Sequence, residues 1–581
     1  MSYSVLCLTA LVETSPQALP LGAACISSAI KNSLLTGNDF KSYLYDFSLE
    51  DLNFPSDAES AENKSCTDAD CKLKKIAEDI KNKFPKLNAL CFSVYVWNRN
   101  VLEKLSLILK DFYPDILTVA GGPEVTANPF NFAHFDFLVC GAGEVSVPEL
   151  LENVFIKKIP YSQIKIKGVY FFNEGAENNF QSLTEIARSE NPSLENLSSP
   201  YLDGTVNLKK YGGALWELSR GCPFKCSYCY ESKGEKVVKH FPLERIKKEL
   251  IAFEKSGISQ VFVLDPTYNA NKKYAVEILD LIKKHSPDLF FYFEARAEFI
   301  DMELAEKFSE LNCALQFGLQ SSSEEVLKNV NRTFNKKIFS RNINYLNQTG
   351  VTFGFDLIYG LPGDTLAGYK ESLDFALKHY PNNLELFCLS VLPGTELGER
   401  AESLGLTWQK NPPYNVIESK TFSRKDIGEA AVFSAAVDSF YNKGRAVPWF
   451  NSLLYLLKIK ASVFLDKYKN YLASKNLISK CRSFSFEQTK SLQKEFIQTL
   501  LSEKKIMQYN SLVQELIEFH GALSECTATG KSSIVTLHYH PDDLMSSYSQ
   551  DIDFFYKNAG RFLNKTKVFC SENGTDWKVL K

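Results

Sequence analysis

The sequence predicts an α/β protein in three parts, and three observations carry that expectation. Short apolar runs alternate with helical patterns from the first residues to about 155. The alternation resumes from about 211 to about 415, and from 416 to 581 the pattern is mostly helical with a strand-like tail. At 581 residues the chain is also too long for one ordinary core, so several domains are expected.

In the first part, residues 1–155, apolar runs stand at 5–9, 42–45, 89–94, 117–120 and 137–140, with helical patterns such as 23–31 and 71–83 between them. That order predicts an open, Rossmann-like parallel sheet with helices on both faces. Ligands of such sheets bind at the carboxyl ends of the strands. Gly121-Gly122-Pro123-Glu124 and Gly141-Ala142-Gly143-Glu144 follow the fourth and fifth runs, and the loop Thr14 to Gly22 follows the first. Glycine admits a close backbone approach, and free amides at a helix start can cradle a phosphate or nucleotide tail. Residues 57–70 are polar and acidic and read as an exposed loop that carries Cys66.

Residues 156–210 read as a linker with one short strand near 168–172. Residues 211–415 hold six strand runs, at 215–219, 260–264, 290–294, 314–318, 352–358 and 384–389, separated by helical segments such as 243–255, 272–284 and 335–347. Six such units make a partial (β/α)6 version of the TIM-like barrel, with its chemistry expected at the carboxyl ends of the strands. In residues 416–581 the helical pattern gives way near 525 to strand-like runs at 533–540 and 566–569. His538 and His540 would share one face of that strand, a metal-ligand arrangement for which no third ligand is evident.

Lys+Arg 66 against Asp+Glu 69 gives a net charge of -3 with no long basic block, so nucleic acid is not a favoured partner. The opening apolar run lacks a basic leader and a cleavage site and reads as a first strand. The most apolar later stretch, 450–464, is broken by Lys458 and Lys460 and predicts no membrane span. Fourteen cysteines without a secretion signal fit a reducing cytoplasm.

The most specific feature is the run Arg220-Gly221-Cys222-Pro223-Phe224-Lys225-Cys226-Ser227-Tyr228-Cys229, directly after the first strand of the second alternation. Three thiolates spaced C-x-x-x-C-x-x-C can hold three irons of a [4Fe-4S] cube and leave the fourth without a protein ligand. A structural zinc site is the alternative, but zinc usually takes two separated pairs, and the nearest downstream histidine is His240. Chance clustering of buried cysteines is a second alternative.

This loop, with Tyr228 before its last cysteine, resembles the signature of radical S-adenosylmethionine (SAM) enzymes. In them the open iron is chelated by SAM, and reductive cleavage yields a 5′-deoxyadenosyl radical. The first part resembles the cobalamin-binding domain that precedes the radical domain in one class of these enzymes. The matching pieces are Leu19-Pro20-Leu21-Gly22, Ser93-Val94-Tyr95-Val96-Trp97-Asn98, Gly121-Gly122-Pro123 and Gly143-Glu144. The resemblance is to the class B methyltransferases and to the related anaerobic Mg-protoporphyrin cyclase. It implies a [4Fe-4S] cluster on Cys222, Cys226 and Cys229, with SAM and cobalamin as further cofactors. Gly121, Gly122, Gly143 and Glu144 would line cobalamin, and Tyr228 would flank the cluster. Asp265 would accept from the SAM ammonium, Arg296 would pair with its carboxylate, and Gln320 and Ser321 would touch the ribose. Ala142 stands where the family often has glutamate, and Asp265-Pro266-Thr267 replaces Gly-Gly-Glu. No D-x-H-x-x-G motif is present, and no G-x-G-x-x-G follows the first strand to suggest NAD.

The function so implied is methyl transfer to an unactivated carbon of a small-molecule or peptide substrate. It would be fed by a flavodoxin or ferredoxin in an anaerobic cytoplasm, and no residue is assigned to catalysis beyond the cofactor sites. A radical cyclase or oxidoreductase without methyl transfer, a tRNA methylthiotransferase, and a non-catalytic cobalamin or redox sensor remain as alternatives.

Overall fold

β1 (Tyr3–Leu11) is apolar on both faces, and Val5, Leu6, Cys7 and Leu8 are all fully buried, as a central parallel strand covered on both sides must be. It pairs in parallel with β2 (Phe40–Ser48) on one side and β3 (Ala89–Ser93) on the other. β4 (Leu117–Gly121), β5 (Phe137–Val139) and β6 (Val169–Phe171) complete a six-stranded sheet in the order β2-β1-β3-β4-β5-β6. β6 runs antiparallel to β5, so the short run near 168 closes the edge of this sheet. Two separate apolar clusters cover its faces, one around Leu6, Leu90 and Leu105 and one around Cys7, Cys91 and Leu150. Strand order reverses between β1 and β3, which opens a crevice at their carboxyl ends.

In the computed structural model the described residues are 2–52, 66–132, 134–171, 187–233, 236–558, 561, 565–572 and 574–580. The acidic stretch 57–65 and Phe172 fall outside them. Residues 66–70, expected as loop, instead begin the helix Cys66–Lys83. That helix packs on Arg99–Phe112, and a stripe of Leu73, Ala77 and Ile80 buried against the sheet stabilises a terminus that composition alone reads as polar.

The second sheet begins with β7 (Gly213–Trp216), after which β8 (Ser219–Arg220) and β9 (Lys239–His240) form a separate antiparallel pair. β10 (Gln260–Val263), β11 (Phe290–Ala295), β12 (Cys313–Gln320), β13 (Thr352–Tyr359) and β14 (Asn383–Cys388) follow, each after a helix. Six parallel strands in the order β14-β13-β12-β11-β10-β7 form an incomplete barrel, with β7 and β14 as its two edges. Along β11 the odd positions, Phe291, Phe293 and Ala295, are buried under the helices, while Tyr292 and Glu294 point to the concave side and stay exposed. The concave side is thus lined by side chains that do not fill it.

β15 (Thr407–Trp408) and β16 (Val416–Glu418) form a small hairpin beyond the barrel. Helices from Arg424 onward then pack on it through contacts such as Tyr369–Ser434 (2.7 Å between hydroxyls) and Lys370–Asp466 (3.0 Å). The apolar stretch 450–464 divides into Val447–Leu457 and Ala461–Ser474, separated at Lys458 in a left-handed conformation (φ 54). Among the described residues no helix is long and apolar enough to cross a membrane. β17 (Ser533–Leu537), β18 (Thr566–Cys570) and β19 (Trp577–Val579) form a terminal antiparallel sheet. β17 ends before His538, which corrects the expected histidine pair. His538 bonds through its ring Nδ1 to Glu515 at 2.6 Å, and His540 caps the short helix Pro541–Leu544.

The two sheets are tied by a buried polar knot. Arg99 Nη1 donates to Glu124 Oε1 at 3.3 Å and to the Tyr414 hydroxyl at 3.1 Å, and Tyr414 donates to the same carboxylate. Arg99 and Glu124 side chains are only 10 % and 6 % exposed, so removing the anion strands a buried cation. Glu124→Ala is expected to cost about 3 kcal/mol of local stability. Hydrogen exchange would report it as roughly hundredfold faster exchange in segments 117–132 and 409–416, with exchange in 486–503 unchanged.

Candidate active site

The cysteine loop leaves the barrel immediately after β7, and the β8–β9 pair closes its base. Gly221 adopts φ 109, which only glycine takes without strain, and turns the chain out of β8 into Cys222. Ser227 N donates to Val330 O at 3.0 Å, Leu397 N donates to Ser227 O at 2.8 Å, and Cys229 N donates to Cys226 O at 3.1 Å. The loop is therefore pinned to the segments after β12 and β14. Cys222 and Cys226 are buried, Cys229 is half-buried, and none of the three is in a disulfide. Burial pushes the Cys229 thiol up to about 11, with Glu231, Cys226 and Cys222 adding like charge. The same causes, burial first, raise Cys222.

Arg332 stands beside this loop, and the sequence reading passed over it. Its Nη1 lies 3.9 Å from Cys226 Sγ and 3.5 Å from the Tyr228 hydroxyl, while Nη2 donates to the Gly318 carbonyl. The signal was available only as an arginine a few residues past a strand end. The chain makes an intervening helix, Glu324–Asn329, before Arg332 returns to the mouth.

The expected SAM contacts divide. Arg296 is buried at the end of β11, stacked 3.9 Å over the Phe224 ring of the cysteine loop and bonded to Glu298 at 3.1 Å, and its Nε has no partner. Gln320, at a bulge in β12 and at φ 65, has a buried Oε1 with no partner among the described residues. A bulge that re-aims one side chain and a non-glycine residue at positive φ are both marks of a functional constraint. Asp265 and Ser321, by contrast, are already engaged. Asp265 accepts from Leu218 N at 2.9 Å, from Ser219 N at 3.1 Å and from the Ser219 hydroxyl, so it braces the start of the cysteine loop. Ser321 is fully buried, with its hydroxyl 3.3 Å from that of Ser372 and accepting from Ser323 N. The two are engaged differently: Asp265 reaches the amides of Leu218 and Ser219 at the neighbouring strand end, whereas Ser321 serves its own turn through Ser323 N.

The concave face adds acids that the sequence reading did not single out. Gln316 on β12 pairs in register with Glu294 on β11, and Gly318 with Asp356 on β13, beside Glu385 on β14. Gln316 Nε2 donates to Asp356 at 2.7 Å. Burial, reinforced by the charges of Glu294 and Glu385, raises Asp356 to about 7.

A cavity of about 1230 Å³ lies between the two sheets. The first sheet contributes Thr9 to Leu11, Phe92 and Ser93 at the switch point, with Gly121, Gly122, Gly143 and Glu144 beyond. Gly122 has φ 107, and a Cβ there would stand 2.6 Å from Val94 O, so no other residue fits this turn. Tyr95 and Trp97 stack on the wall with centroids 4.5 Å apart. The barrel contributes Glu217, Arg220 and Tyr230 from either side of the cysteines. Glu144 meets Arg220 across the boundary at 2.7 Å, and Arg220 Nε donates to Glu217 at 2.8 Å. The structure thus gathers Gly121, Gly122, Gly143 and Glu144 around one space, with Glu144 engaged by a cation.

A family model for the Radical SAM superfamily matches residues 216–376. Over 347 residues the chain is 27 % identical to the cobalamin-dependent radical SAM methyltransferase TokK of Streptomyces tokunonensis, covering 55 % of this chain and 49 % of that protein. The chain therefore spans about half the length of the curated relative it matches. The structure of the radical SAM methyltransferase TsrM from Kitasatospora setae, with tryptophan substrate and a SAM analogue bound, aligns with a TM-score of 0.54 at 16 % identity, over 72 % of this chain and 81 % of that one. The cobalamin-dependent SAM radical enzyme OxsB, with aqua-cobalamin bound, aligns with a TM-score of 0.57 at 14 % identity, over 87 % of this chain and 81 % of that one. At these identities the structural likeness is one of fold.

Asp356 binds its proton up to about 7 in the folded chain but only to about 3.8 when unfolded. Between those values the folded state holds more protons, so this group makes stability fall as pH rises from about 4 to about 7. Asp356→Asn should flatten that part of the stability–pH curve, which denaturant midpoints at pH 5 and pH 8 would reveal as a smaller difference than in the parent chain.

Proposed function

We propose that this chain, whose residues 216–376 match the Radical SAM superfamily, is a cobalamin-dependent radical SAM enzyme that transfers a methyl group to an unactivated carbon of a small-molecule or peptide substrate. The observation that carries the reading is the cavity of about 1230 Å³ shared by the switch point of the first sheet and the flanks of the cysteine loop. Drug-sized ligands fill roughly 300–1,000 Å³, so the space suits a larger group such as a corrin. The activity named for TokK and the aqua-cobalamin bound to OxsB support the same assignment.

The donor set fits an iron–sulfur cube. Three thiols outside any disulfide sit on one pinned loop, and metal binding would replace the protons that burial now holds on Cys222 and Cys229. Among the described residues no three His, Cys, Asp or Glu side chains converge to hold a single ion; in a cube each thiolate takes a different iron, so the sulfurs ring a volume rather than a point. When bound, the cluster supplies the electron that splits the SAM sulfonium, and cobalamin supplies a methyl carrier.

The chain's own residues bind, orient and exclude water. Arg332, held by the Gly318 carbonyl, keeps a guanidinium beside Cys226 where the SAM carboxylate would need one. Arg296 offers its free Nε to the same ligand, and Gln320 offers an acceptor to a ribose hydroxyl. Asp265 is a positioning residue, fixing Leu218 and Ser219 at the entry to the cysteine loop. Gly122 lets backbone approach the corrin, and stacking the first sheet over the barrel mouth keeps solvent from reactive species. A flavodoxin or ferredoxin as electron donor and an anaerobic cytoplasm belong to this reading.

Anaerobic reconstitution with iron, sulfide and hydroxocobalamin should give a protein that forms 5′-deoxyadenosine from SAM and, with its substrate, a methylated product. The triple variant Cys222/Cys226/Cys229→Ala should fall to background, and unchanged 5′-deoxyadenosine formation would sink the assignment. Arg332→Gln should weaken SAM binding about tenfold while leaving iron content unchanged.

A further inference from the structure

The cavity contains one cationic corner that the reading above does not use. Six of its wall residues are Asp, Glu, Lys or Arg: Glu13, Glu144, Glu217, Arg188, Arg220 and Lys236. Arg220 is neutralised by Glu144 and Glu217. Glu13 is bonded to Ser15 and Gln17. Arg188 is different: its guanidinium meets no carboxylate among the described residues and lies 5.5 Å over the Tyr230 ring. The Tyr230 hydroxyl is buried and has no hydrogen-bond partner among the described residues.

The backbone on which both residues sit is anchored. Arg188 precedes Ser189, which bridges to Gly141 at the end of β5 and donates from its own amide to Cys140 O at 2.8 Å. Tyr230 directly follows Cys229, and its ring packs beside Gly394, which itself approaches Ala127 of the first sheet. The buried Tyr230 hydroxyl has no partner among the described residues, which costs free energy, and the half-buried Arg188 beside it meets no carboxylate among those residues. The same pair suits an oxyanion, for which arginine supplies a planar fork and tyrosine one further donor.

We propose that Arg188 and Tyr230 form an oxyanion-binding corner that holds a phosphate or carboxylate group of a molecule in this cavity. Two sources can supply that group: the phosphodiester of a cobalamin nucleotide tail, or an anionic group on the substrate. The first rests on the reading of the cavity as a corrinoid site; the second does not.

The test compares the parent chain with Arg188→Gln, Arg188→Lys and Tyr230→Phe, by absorbance titration with hydroxocobalamin and with dicyanocobinamide, a corrinoid lacking the phosphodiester. Calorimetric titration of the corrinoid-treated protein with inorganic phosphate and with acetate provides the second arm. If the corner holds the nucleotide tail, Arg188→Gln weakens hydroxocobalamin binding about tenfold, Tyr230→Phe a few-fold, Arg188→Lys restores part of the loss, and cobinamide binding stays within about twofold. If it holds the substrate's anion, both corrinoids bind all variants alike, while the parent binds phosphate or acetate and Arg188→Gln does not. Unchanged corrinoid affinity together with unchanged anion binding, or anion binding absent from the parent as well, overturns the proposal. A parent chain that takes up neither corrinoid defeats the corrinoid reading alone, and the anion titrations then decide the corner.

Discussion

One guanidinium carries the joint on which the rest of the site depends. Arg220 stands immediately before Gly221 and Cys222 and receives Glu144 from the first sheet and Glu217 from the barrel. Only 19 % exposed, it is held firmly cationic by those two carboxylates despite burial. A buried ion pair adds little net stability, because desolvation offsets most of the attraction. What it does add is register: the carboxylates are satisfied only when the first sheet sits at one position over the cysteine loop. Arg99, Glu124 and Tyr414 repeat the device at the far side of the mouth.

Between these two knots the same backbone segments serve both halves. The helix Pro123–Ala127 follows the Gly121-Gly122 turn, carries Glu124 into the knot and meets Gly394 at Ala127. Three residues beyond Gly394, Leu397 donates its amide to Ser227 in the cysteine loop. A glycine turn on the large cavity and a thiol loop on the barrel are thus separated by a short run of packed backbone rather than by mobile side chains. That rigidity suits chemistry in which two reactive centres must face one substrate at fixed separation.

The barrel has the opposite character. Its six strands leave one side open, and its concave row is polar, with exposed Glu294 and half-buried Gln316 and Asp356 where a closed barrel would interdigitate apolar side chains. Helix-facing rows such as Phe291, Phe293, Leu315, Phe317, Phe353 and Phe355 supply the apolar burial that stabilises the sheet. Within that row Gln316 donates to Asp356, and at the strand ends Arg296 and Gln320 each keep a polar atom without a partner among the described residues.

The sequence by itself determined the order of elements and the place of the thiols. Periodicity is a local property, so the runs at 290–294 and 352–358 announced strands, and the spacing of Cys222, Cys226 and Cys229 announced a three-thiolate loop. Tertiary structure decided everything that depends on which neighbour a polar atom finds first. Asp265 found Leu218 and Ser219 at the neighbouring strand end, Ser321 found its own turn, the expected histidine pair dissolved because β17 ends at Leu537, and residues 66–70 became helix through the packing of a helix they begin. Arg332 and Arg188 reached their places from segments more than a hundred residues from Cys226 and some forty from Tyr230, respectively. Contacts across such distances are set by how layers stack, and no local pattern of residues encodes that.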